Sequence, residues 1–129
     1  MLTIRKEQDQ ALALAMEQQF EQKIFIHLKK FWPANCRSQG EAGVRESIRQ
    51  GVDRAHGYGM KTEYDIARYI DLMYSMGMDF DSDPEFPWVI EILNNEKSPL
   101  SEKMDRLYEE TEQRLGVTEI NRMKGPSLT

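Results

Sequence analysis

The sequence predicts an all-α domain, a compact array of four to five helices led by a long N-terminal one. Three observations carry that prediction. Apolar residues recur at helical spacing through most of the chain. No run alternates apolar and polar residues with the β-branched content of a strand. Only 8 Gly and 5 Pro among 129 residues, beside plentiful Glu, Gln, Lys, Arg, Leu and Met, favour helix over strand.

The first helix is expected over roughly 3–31. Leu12, Met16, Phe20, Ile24 and Leu28 follow one another at four-residue steps, with Ala13, Phe25 and Phe31 widening the stripe. Pro33 is expected to stop it. Ser38-Gln-Gly-Glu41 has the form of a capping box, opening a second helix over roughly 39–56 with Val44, Ile48, Val52 and Ala55 on one face. Gly57-Tyr58-Gly59 ends it. Thr62 caps a third helix whose buried face is expected to be Ile66, Tyr69, Ile70, Met73 and Met76, with Leu72 and Tyr74 at the margins; Gly77 closes it. Asp83 is placed to cap a short fourth helix with Pro84 in its first turn, carrying Trp88, Val89, Ile92 and Leu93 up to Asn94-Asn95. Ser98-Pro99 starts a fifth, with Leu100, Met104, Leu107, Tyr108 and Leu115 inward and Gly116 at its end. The long first helix is the expected backing for the others. The domain is thus residues 1–116, and residues 117–129 form a tail expected to fray or to order on a partner.

Length and charge narrow the function classes. One domain of this size has a single modest core. A formal net charge of -5 argues against a general nucleic-acid footprint. Residues 79–119 carry -8 while residues 1–78 carry +1, an asymmetry that suits a basic protein partner or a solvated helix face. A single cysteine, Cys36, excludes an intramolecular disulfide and suits a reducing compartment. No apolar run approaches the ~20 residues that span a bilayer, and the first residues lack the pattern of a signal peptide, so a cytoplasmic protein without membrane contact is expected.

No catalytic motif stands out. Asp79-Phe-Asp81-Ser-Asp83 has the spacing that opens a calcium-binding EF-hand loop, where alternate carboxylates converge on one cation. The sixth position of that loop is Pro84 instead of Gly, and the twelfth is Ile90, with Glu91 one residue late. Capping and pairing with nearby cations is the stronger expectation for these aspartates. His27, His56 and Cys36 lack the paired spacing of a zinc site. His27 is expected beside the apolar stripe of the first helix, and His56 near the end of the second. No metal site, catalytic residue or cofactor is assigned. Phe80, Phe86, Trp88 and Tyr74 are too many large rings to bury easily in so small an array, so a partly exposed apolar patch and a protein partner are expected. The candidate partner-binding residues are Asp79, Phe80, Asp81, Asp83, Phe86 and Trp88.

The segment Tyr69-Ile-Asp-Leu-Met73, followed by Gly77, Asp79-Phe-Asp81, Asp83 and Pro87-Trp88, resembles a group of small bacterial proteins encoded beside type VI secretion genes. With the opening MLTIRKEQDQAL and the later SEKMDRLYE, the resemblance covers roughly residues 1–115. It implies an accessory role, such as a co-chaperone that holds an effector or its adaptor chaperone, and it carries no motif of known chemistry. Self-association is left open. An immunity protein that blocks a basic toxin domain is the alternative among binding proteins; a small metal-dependent hydrolase using Asp79–Asp83 is the alternative from another class.

Overall fold

The computed structural model describes residues 2–115 in backbone, and side chains from Glu7 to Arg114. It is all-helical: α1 (Leu2–Phe31), α2 (Pro33–Gly57), α3 (Glu63–Met76), α4 (Pro87–Leu93) and α5 (Leu100–Leu115), with no strand among the described residues. The fold class is as the sequence predicts. Gly116 and the 117–129 tail lie outside the described residues.

α3 is the centre of the molecule. Every residue from Ile66 to Tyr74 is buried, including Leu72 at the predicted margin and the polar Arg68 and Asp71. α2 packs along α3 on one side and α5 meets it on another, while α1 lies mainly against α2 and α4 mainly against α5. The hub is therefore a short helix covered all round, and the expectation that α1 backs the array is corrected. Thr62 Oγ1 accepts the backbone N–H of Asp65, which fixes the start of α3, and Gly77 at φ 113 ends it. Where α2 crosses α3, Gly51 allows the close approach. A Cβ there would fall 2.7 Å from Ile70 Cγ1 and 3.0 Å from Met73 Sδ.

Two helix starts differ from expectation. Only Trp32 separates α1 from α2, and Pro33 opens α2 instead of merely closing α1, because the missing N–H and fixed φ of proline suit a first helical position. The break expected at Ser38 comes at Gly40, at φ 75 and ψ 166, so the capping box does not form a separate helix start. Likewise α4 begins at Pro87, after Phe86, and not at Pro84. Asp83 Oδ1 accepts the N–H of Glu85 in a local turn, which delays the helix by one proline.

α1 divides into two parts. Ile24, Phe25 and Leu28 enter the core, with Phe20 packed at its edge, and Glu21 ties this part to α2 through Arg49 at 3.0 Å and Arg45 at 3.8 Å. From Glu7 to Gln19 every side chain is exposed. Thirteen residues at about 1.5 Å each make a projecting arm of roughly 20 Å.

Candidate functional site

The acidic loop between α3 and α4 is spent on its own anchorage. Arg54, near the end of α2, reaches across to it: one guanidinium nitrogen donates to Asp79 Oδ1 at 2.9 Å and another to the carbonyl of Met78. Asp81 turns the opposite way and accepts the hydroxyls of Tyr58 at 2.6 Å and Tyr69 at 3.1 Å. Burial first, then the adjacent Asp81 carboxylate, pushes both phenols well above the ordinary tyrosine range, so they remain donors at any physiological pH. Asp83 faces its own backbone. Three carboxylates with three separate sets of partners do not converge as a calcium site requires. Among the described residues no group of three His, Cys, Asp or Glu side chains is placed to hold a metal ion.

The candidate contact residues therefore separate. Phe80 is fully buried, its ring centroid 5.1 Å from that of Tyr69; it is core, and as a partner contact it is corrected. Asp79 is exposed, whereas Asp81 and Asp83 are half-buried. Phe86 and Trp88 are also half-buried and meet edge to face at 5.2 Å, with the Arg114 guanidinium 4.7 Å from the Trp88 ring centroid. Of the six, all but Phe80 retain surface that a partner could touch, Asp79 the most exposed.

The structure also holds a buried pair that the sequence did not reveal. His27 Nε2 lies 2.9 and 3.1 Å from the two carboxylate oxygens of Asp71, and both side chains are almost completely enclosed. Burial raises the Asp71 carboxyl above its usual range, opposed by the hydrogen bond and charge of His27. The Trp32 indole N–H also favours the carboxylate, without completing a hydrogen bond of good geometry. Nearby, Arg68 is held by Asp105 at 2.7 Å, while Tyr108 donates to the Arg68 carbonyl at 2.9 Å. Enclosed at the α1–α3 crossing, the His27–Asp71 pair clamps two helices and is shut off from a substrate.

His56 is exposed near the end of α2. Cys36 sits in the first turn of α2, its thiol pushed up by burial against a smaller opposing effect of Lys29. Neither meets His27 or the acidic loop in any recorded bond. The histidines, the thiol and the Asp79–Asp83 carboxylates thus do not assemble as one reactive constellation.

What remains is the projecting arm. Its middle, Ala11-Leu-Ala-Leu-Ala-Met16, is an apolar run left uncovered among the described residues: Leu12 is 62% exposed, Leu14 55% and Met16 59%. At about 100° per residue, Leu14 stands roughly 160° from Leu12 and Met16, on the opposite side of the helix. Flanking the run, Glu7, Asp9 and Glu17 supply acids and residues 7–19 supply no base. The first-helix pattern gave the apolar positions but no sign that Leu12, Ala13 and Met16 lie beyond the core.

No protein-family model matches this chain. No curated protein matches it, and no solved structure does. Among the described residues no helix is long and apolar enough to cross a membrane.

Proposed function

We propose that this is a non-enzymatic binding protein that docks on another protein through the arm of α1. It acts in the accessory role implied by its resemblance to proteins encoded beside type VI secretion genes, holding an effector or its adaptor chaperone. The observation that carries the proposal is the exposed apolar run from Ala11 to Met16. A helix apolar on opposite sides is stable in water chiefly when something surrounds it. One packed helix covers a stripe, so Leu12 with Met16 on one side and Leu14 on the other call for a groove between two helices. The surrounding Glu7, Asp9 and Glu17 favour a basic rim on that groove. Asp79 in the acidic loop, with Phe86 and Trp88 at the start of α4, offers a second, smaller contact.

The test begins by recovering a partner from the native host with the tagged chain, then repeats binding with that partner purified. Leu12→Glu with Leu14→Glu should weaken binding at least about tenfold, as expected when central apolar contacts are lost. Asp79→Asn with Asp83→Asn should leave it nearly unchanged; Asp81 is spared because it holds two tyrosines. Loss in the Asn variant with retention in the Glu variant would overturn the arm as the contact. Failure to find any protein that binds saturably would overturn the binding role itself.

A further inference from the structure

Where the end of α1 folds back beside the start of α2, the two helices leave a cleft of about 410 Å³ that the proposed arm contact does not use. Its size falls within the ~300–1,000 Å³ typical of small-molecule sites. Its floor is apolar, made by the Phe25 ring, the Cys36 thiol and Val44, all buried. Its mouth carries charge of mainly one sign. Lys29 lies 5.5 Å from the Phe25 ring centroid, and Arg37 has no ion pair among the described residues. The one acid at the mouth, Glu41, is engaged by Arg45 at 3.3 Å, and the Arg45 guanidinium itself lies 4.3 Å from the Phe25 centroid. Gly40, in its positive-φ conformation, also lines the cleft, and a Cβ there would find nothing within 4 Å, so there is open space beside it.

We propose that this cleft binds an aliphatic carboxylate of medium chain length. The tail lies on Phe25, Cys36 and Val44, and the carboxylate sits between Lys29 and Arg37. A floor of ring, thiol and methyl groups offers a polar ligand nothing, which selects an aliphatic body. Two cations beside an already engaged Glu41 suit a single negative charge better than a doubly charged phosphate.

Cys36, the single thiol of the chain, reports on occupancy because it lines the floor. The experiment follows its alkylation by a maleimide, with decanoate or decanol as the added probe. Decanoate should slow alkylation saturably, and decanol much less. Lys29→Gln with Arg37→Gln, both exposed positions, should weaken decanoate protection about tenfold, as for loss of charge-assisted contacts, and leave decanol as it was. Circular dichroism checks that the variant folds. Absence of saturable protection would overturn the proposal. Equal protection by the alcohol, or undiminished protection of the double variant, would overturn it equally, since a carboxylate site requires both differences. Protection by an amidated apolar peptide and not by decanoate would assign the cleft to a protein segment and overturn the small-molecule site.

Discussion

The two halves of α1 share a four-residue apolar row and meet opposite fates. Ile24 and Leu28 are wholly buried, while Met16 and Leu12, two and three steps further back on the same row, are more than half exposed. The cause lies in what stands opposite. α2 runs back along α1 as far as the pairing of Arg49 with Glu21, and from Gly51 onward it is drawn against Ile70 and Met73 of α3. Beyond Phe20, the side chains from Glu7 to Gln19 are all exposed. An apolar row thus shows which side of a helix avoids water, but whether that side is covered depends on the course of other segments. In the inner half the chain covers itself; in the outer half Leu12, Leu14 and Met16 are left exposed.

The sharpest way to break this contrast is to cut the clamp that holds the inner half to α3. His27→Ala leaves the Asp71 carboxylate enclosed without its partner, and loss of one member of a buried pair costs about 3–5 kcal/mol. His27→Leu with Asp71→Leu removes both polar groups and should regain most of that stability, as measured by urea unfolding. The pair also has a pH signature with a definite sign. Because burial raises the Asp71 pKa above its unfolded value of 3.8, the folded state holds a proton that the unfolded state has released. Between 3.8 and that raised value, stability relative to Asp71→Asn should therefore fall as pH rises. A flat difference across that window would mean that Asp71 is not desolvated in solution.

A smaller perturbation tests the divergence of α2. Gly51→Ala places a methyl group against Ile70 and Met73, and overpacking of this kind costs about 1–3 kcal/mol. Chemical denaturation should register that loss. A neutral or stabilising result would show that α2 and α3 are less tightly apposed than the 2.7 Å approach implies.

How much of this was legible in the sequence follows from the range of each signal. Thr62, Gly77 and Asn94 mark their helix ends correctly because a cap is decided within a few residues. Where two local signals competed, sequence could not rank them: Gly40 took the break from Ser38, and Pro87 took the helix start from Pro84. Leu72 was misplaced because periodicity locates a buried face only when another face meets water, and from Ile66 to Tyr74 α3 has none. The pairing of His27 with Asp71 spans 44 positions and leaves no local trace. At the candidate site, the spacing of Asp79, Asp81 and Asp83 showed three carboxylates close in sequence. It could not show that Arg54, Tyr58 and Tyr69 would draw them apart.

The smallest expected effect bears most directly on the comparison. Leu12→Glu with Leu14→Glu puts two charges on the arm, and the one at Leu12 would not be tolerated if the apolar row were buried throughout. On the projecting arm both side chains already stand in water, so folding stability should change by no more than about 0.5 kcal/mol. The same exchange in the inner half, at Ile24 or Leu28, should prevent folding, because it would strand a carboxylate in the core. Urea unfolding of the arm variant, run at two protein concentrations, reads both points. A loss of 2 kcal/mol or more on this scale would mean that the arm is covered in the free protein. If that loss grew with protein concentration, the cover would be a second copy of the chain. Stability unchanged at both concentrations, together with weakened partner binding, would leave the outer half of α1 as a surface kept apolar for another protein.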